Sequence, residues 1–221
     1  VHNQKYMKKT ILSIIILLTI NVHALTHIEH YAEFNYLDYE LFRNNKSIGY
    51  HKYNFEREGD ILSVKSDVNF KITKLGVDLY KYNAKSEEIY KKNNFFKFSS
   101  KTNQNKKEKY VNIKVDSSTK DLIIDGSSYK GKASKDAIVG TWWNHEIVKS
   151  KAQISAISGR IIDQTVTFIG KEQIKINDKV YDALHFNFKS SDKSLPENKK
   201  LNTDIWYDEK TYLWVRASFE K

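Results

Sequence analysis

The sequence predicts an all-β protein: an antiparallel meander of roughly ten strands, curved into an open or half barrel behind an N-terminal signal helix. Three observations lead there. From residue 35 onward apolar side chains recur at every second position, not every third or fourth. Short polar breaks rich in asparagine and lysine interrupt these runs at hairpin spacing. The 221 residues include no cysteine, so the fold must rest on a buried core rather than on disulfides or thiolate metal sites.

The first element is an address. Met7 reads as the initiator, followed by Lys8-Lys9, an apolar run from Ile11 to Ile20, and Asn21-Val22-His23-Ala24. A basic start, a short apolar segment and small residues at the −3 and −1 positions predict a secretory signal over 1–24, cleaved before Leu25. The apolar run is about half of the ~20 residues a spanning helix needs, so no transmembrane segment is expected after cleavage. Residues 25–221 then form a single β-sheet domain working in the periplasm.

Within that domain the strands declare themselves by alternation, because successive side chains of a strand point to opposite faces. Leu62, Val64, Val68, Phe70 and Ile72 share one face, with Ser63, Lys65, Asp67, Asn69 and Lys71 on the other. Val111, Ile113 and Val115 alternate with polar neighbours, as do Leu184, Phe186 and Phe188. The intervening turns are predicted within Asn44 to Ser47, Arg57 to Asp60, Lys91 to Asn94, Asn105 to Glu108 and Ser117 to Lys120, where asparagine and glycine tolerate positive φ. Two segments break the rhythm. Thr141 to Val148 reads as a loop or helical turn carrying Trp142 and Trp143, and Ser190 to Lys200, with the sole proline, reads as a polar loop.

The formal net charge is +10, yet only Arg43, Arg57, Arg160 and Arg216 are arginines. Lysine without arginine is a poor reader of nucleic-acid bases, and no nucleic-acid partner is expected. No G-x-S-x-G, P-loop, H-E-x-x-H or calcium-loop pattern is present, and no cofactor or catalytic residue is nominated. His27 and His30 stand three apart near the new N-terminus without a third ligand, so no metal site is expected.

The candidate binding residues come from phase. His51 alternates with Tyr53 and Phe55. Glu88 is in phase with Tyr80, Tyr82, Ala84 and Tyr90, an inward carboxylate on an aromatic face. Ser100 and Thr102, in phase with Phe96 and Phe98, lie on the strand expected to pair with it and are the donors expected for it. Two readings of this set are open: an internal polar cluster fixing strand register, or the floor of a ligand cavity. Trp142 and Trp143 likewise close the core or form a lid. Tyr82, His51, Glu88, Ser100, Thr102, Trp142 and Trp143 together are the expected pocket lining.

Tyr39-Glu40, Ser47-Ile48-Gly49-Tyr50-His51, Glu88-Ile89-Tyr90, Ser100-Lys101-Thr102, Trp142-Trp143-Asn144 and Ile205-Trp206-Tyr207-Asp208 occur in this order. The series resembles a family of exported bacterial proteins catalogued as a domain of unknown function, over about residues 36 to 220. Asn44-Asn45 stands where that pattern has Asp-Gly, and Tyr90 where it has tryptophan. The final hairpin, Ile205 to Thr211 and Leu213 to Arg216, is also similar to that of the lipoprotein-carrier group, whose curved sheet cups an acyl chain. The aromatic-rich inner face of a curved sheet on an exported protein predicts non-catalytic binding of an apolar or lipid-like ligand, and the hairpin likeness is an analogy in the same direction. An envelope protein working through its surface or sheet edge is the alternative, and a hydrolase using Glu88, His51 and a hydroxyl is the third.

Overall fold

A computed structural model describes residues 31–219; the signal reading and the His27/His30 pair lie outside them. Eight strands follow one another as a single antiparallel meander. They are β1 (Tyr36–Arg43), β2 (Lys46–Glu58), β3 (Ile61–Lys74), β4 (Val77–Lys91), β5 (Asn94–Gln104), β6 (Lys107–Val115), β7 (Leu122–Gly126) and β8 (Lys130–Ala133). The remaining strands build a second sheet: β9 (Ile138–Val139), β10 (Ala152–Ile154), β11 (Ile161–Ile176), β12 (Lys179–Ser190), β13 (Asn202–Asp208) and β14 (Trp214–Phe219), in the order β14-β13-β12-β11-β10-β9. Among the described residues fourteen strands therefore stand where roughly ten were expected. The excess lies in pieces such as β8, β9 and β10, of two to four residues, too short to display an alternation. The β9–β10 pair is parallel, an exception to the antiparallel rule.

The turns form for the reason the sequence suggests. Asn44 and Asn45, Lys92 and Asn93, and Asn105 and Lys106 each place two consecutive residues at positive φ, the geometry of a type I′ hairpin turn. Asparagine supplies one or both positions each time, since its short side chain tolerates the left-handed region.

One core joins the two sheets. Tyr53, Phe55, Leu62, Val64 and Tyr90 come from the first sheet, and Phe188, Ile205, Tyr207 and Trp214 from the second. Between them pack Trp143 and Ile147, from the irregular segment and its 3-10 turn His145–Lys149. A second cluster, including Phe98, Ile113, Ile124, Val139 and Ile154, seals the side where β9 and β10 meet β5 to β8. On the opposite side the barrel is not closed: among the described residues β1 and β14 form no ladder. They are joined through Tyr39, whose hydroxyl donates to the Trp214 carbonyl at 2.7 Å while its ring packs 4.4 Å from the Trp214 ring.

A β-bulge corrects one expectation. Tyr90 pairs with Phe95 while Ile89 pairs with Lys97, so Phe96 is the extra residue. Instead of pointing inward with Phe98, Phe96 is 41% exposed, with the Lys91 ammonium 3.7 Å from its ring centroid. Phe95 takes the inward place and packs against both clusters.

Candidate functional site

Glu88 is 2% exposed, on the inward face of β4, level with Val64 and Phe98 on the flanking strands. An ionised carboxylate there needs donors, because burial removes its water. Three supply them: Trp143 Nε1 to Oε2 at 2.6 Å, Thr141 Oγ1 to Oε2 at 3.1 Å, and Tyr90 Oη to Oε1 at 3.1 Å. Asn144 Nδ2 in turn donates to Tyr90 Oη at 3.4 Å. Burial pushes the carboxyl pKa up to about 7, and the Trp143, Tyr90 and Thr141 hydrogen bonds hold it from rising further.

The donors are not those the strand phase suggested. Ser100 and Thr102 are inward and buried, as expected, but Ser100 Oγ donates to the Ala156 carbonyl at 2.5 Å. Thr102 Oγ1 lies beside the Tyr82 phenol, whose pKa it lowers, but forms no hydrogen bond of good geometry with it. The irregular segment replaces them: Thr141 and Asn144, outside the expected pocket lining, arrive with Trp143 from more than fifty positions away. Tyr90, noticed only as a partner in phase, is itself a donor.

The other expected residues line the same concave side, toward the turns at 44–45, 75–76 and 105–106. His51 Nε2 lies 2.9 Å from Ser66 Oγ, its ring 4.5 Å from Tyr53 and 5.6 Å from Trp214; burial pushes its pKa down to about 4. Tyr82 stacks on Phe70 at 4.9 Å, and burial raises its phenol to about 12. Trp142 adopts a φ of 61° and packs near Trp214 and Phe219. Its carbonyl accepts from Tyr207 Oη at 2.7 Å, while its buried Nε1 has no partner among the described residues. Trp143, fully buried, is core closure and carboxylate donor at once, not a lid. His51 and Glu88 share no hydrogen bond, so the groups a hydrolase would need do not converge.

On the other side of Glu88, toward the turns at 59–60 and 92–93, a half-open cleft of about 1040 Å³ enters the protein. Phe95, Leu122, Ile138 and Val139 give it apolar walls, and Glu88, Tyr90 and Asn144 its polar floor. Among the described residues no three His, Asp or Glu side chains gather as metal ligands would, and no helix is long and apolar enough to cross a membrane.

Fold and site together define a barrel-like antiparallel β protein of two sheets with a buried carboxyl group between them. The chain belongs to the family described as Domain of unknown function (DUF6134), which matches residues 39–221. It is similar in structure to the beta-barrel-like protein of Domain of Unknown Function DUF1849 from Brucella abortus. The TM-score is 0.51 at 11% sequence identity, covering 84% of this chain and 96% of that one. A comparison with curated proteins finds no match.

Proposed function

We propose that the protein is exported to the periplasm and there binds an apolar or lipid-like molecule, without transforming it, in the concave side of the first sheet. One observation carries the reading. The inward face beyond Glu88 presents His51, Phe70, Tyr82 and Trp142 only partly covered, and one buried polar atom there, Trp142 Nε1, lacks a partner among the described residues. Buried polar groups are ordinarily hydrogen-bonded, so an orphaned indole N–H beside accessible rings suits a mostly apolar guest with a polar atom to accept from it. Native mass spectrometry of protein purified from its own envelope is expected to show a bound molecule that organic solvent extracts. Replacing Trp142 with alanine should lower its occupancy. A protein free of adducts in both forms would sink the reading.

A second reading has its own observation. β11 pairs with β10 only through Ile161 to Asp163, so its edge from residue 165 to 176 has no strand partner among the described residues. Phe168 and Ile169 are 52% and 55% exposed along it. An edge of this kind suits strand addition by an envelope protein. Cross-linking from position 167 in the native envelope tests it: absence of a discrete protein adduct argues against it.

A further inference from the structure

We infer that the cleft on the Leu122 side of Glu88 is a second, separate site that takes an anionic single-chain amphiphile, its chain against the apolar walls and its head at the rim. Of the residues expected to line a pocket, Glu88 alone lines this cleft; His51, Tyr82, Thr102 and Trp142 do not. The volume, about 1040 Å³, lies at the upper end of the ~300–1,000 Å³ typical of small-molecule sites. Phe95, Leu122, Ile138 and Val139 offer a chain continuous apolar contact. The floor needs nothing from a guest, because both Glu88 oxygens are already hydrogen-bonded.

Charge at the mouth selects the head group. Lys120, Lys135 and Lys149 stand there with Asp136 and Glu146. Glu146 is held by Lys149 at 2.7 Å and 3.0 Å, and Asp136, which accepts from Ser134 Oγ at 3.4 Å, keeps its charge, so the rim carries three cations against two carboxylates. Lys120 and Lys135 have no carboxylate partner among the described residues. Both are exposed, so they remain hydrated cations next to an apolar opening, the arrangement that suits a carboxylate or phosphate head above a buried chain.

The test uses dodecanoate and dodecanol as probes, titrated calorimetrically into the purified protein. Dodecanoate is expected to bind more tightly than the alcohol. The double variant Lys120→Gln/Lys135→Gln should weaken dodecanoate by roughly five-fold, leave the alcohol unchanged and abolish the salt dependence. Equal binding of alcohol and acid would overturn the anionic assignment. Location is read separately, from the broadening of backbone amide signals by a stearate carrying a nitroxide at its chain end. Broadening at Phe95, Leu122, Ile138 and Val139 is expected. Broadening at Tyr82 and Thr102 instead would overturn this site and leave the proposed function standing; binding of neither probe overturns the inference outright.

Discussion

Trp143 Nε1 donates to Glu88 Oε2 across 2.6 Å, and neither residue is more than 2% exposed. This bond fixes an irregular segment to the middle of the first sheet, and through Tyr207 Oη on the Trp142 carbonyl the same segment is held to the second. The two sheets are thus pinned to each other through Thr141 to Asn144 as well as by apolar packing.

Removing the donor while keeping an aromatic ring isolates that bond. Trp143→Phe should cost about 1.5–3 kcal/mol in urea unfolding, the range for hydrogen bonds to charged groups. Because the Trp143 bond lowers the Glu88 pKa, its loss moves that pKa above about 7. The penalty should therefore be larger at pH 8, where the wild-type carboxylate is ionised, than at pH 5, where both proteins hold the proton. Equal penalties at the two pH values would mean that only ring packing was lost.

Much of this was legible in the sequence, and the limits have physical causes. Two-residue alternation announces Leu62 to Ile72, and Asn44-Asn45 announces the turn between β1 and β2, because both signals are local. The inward direction of Glu88, Ser100 and Thr102 follows from the same alternation. Which donor meets Glu88 does not, since Thr141 and Trp143 approach from an irregular segment whose path is set by packing between sheets. Phe96 was misplaced because one bulge residue reverses the phase of everything beyond it.

Ser100 and Thr102 stand two apart on one face, yet opposite outcomes are expected. Ser100→Ala removes the donor to the Ala156 carbonyl and should destabilise by about 1 kcal/mol. Thr102→Val replaces a buried hydroxyl, which meets the Tyr82 phenol without good hydrogen-bond geometry, by a methyl group of similar shape, and should be neutral or stabilise by about 1 kcal/mol. Paired denaturation curves decide; a destabilised Thr102→Val would reveal a partner for its hydroxyl.

Gly49, inside the Ser47-to-His51 motif, lies where β2 passes against β3. A Cβ built there would meet the Asn69 carbonyl oxygen at 2.0 Å and Phe70 Cα at 2.6 Å, both backbone atoms that cannot swing aside. Gly49→Ala should lower stability by about 3 kcal/mol, at the upper end of ordinary overpacking. Gly59→Ala is the comparison: nothing lies within 4 Å, and only its φ of 54° resists, so about 1 kcal/mol is expected. Thermal unfolding that ranks Gly59→Ala as the worse variant would contradict the close approach.

His51 and Glu88 impose opposite pH slopes on the same fold. Glu88 has its folded pKa raised from 4.5 to about 7, so its stabilising contribution is full below pH 4.5 and disappears as pH rises to about 7. His51 has its folded pKa lowered from 6.5 to about 4, so it costs nothing above pH 6.5 and destabilises progressively as pH falls to about 4. Each shift corresponds to about 3 kcal/mol at ~1.36 kcal/mol per unit, and between pH 4.5 and 6.5 the two slopes nearly cancel. Wild-type stability should accordingly be flat across that window in buffered urea titrations. Glu88→Gln leaves the histidine slope alone, and stability should then climb from pH 4.5 to 6.5. His51→Asn leaves the carboxyl slope alone, and stability should fall over the same interval. A wild-type profile that climbs steeply there, unchanged by Glu88→Gln, would show that the carboxyl is not held in the protonated form its burial requires.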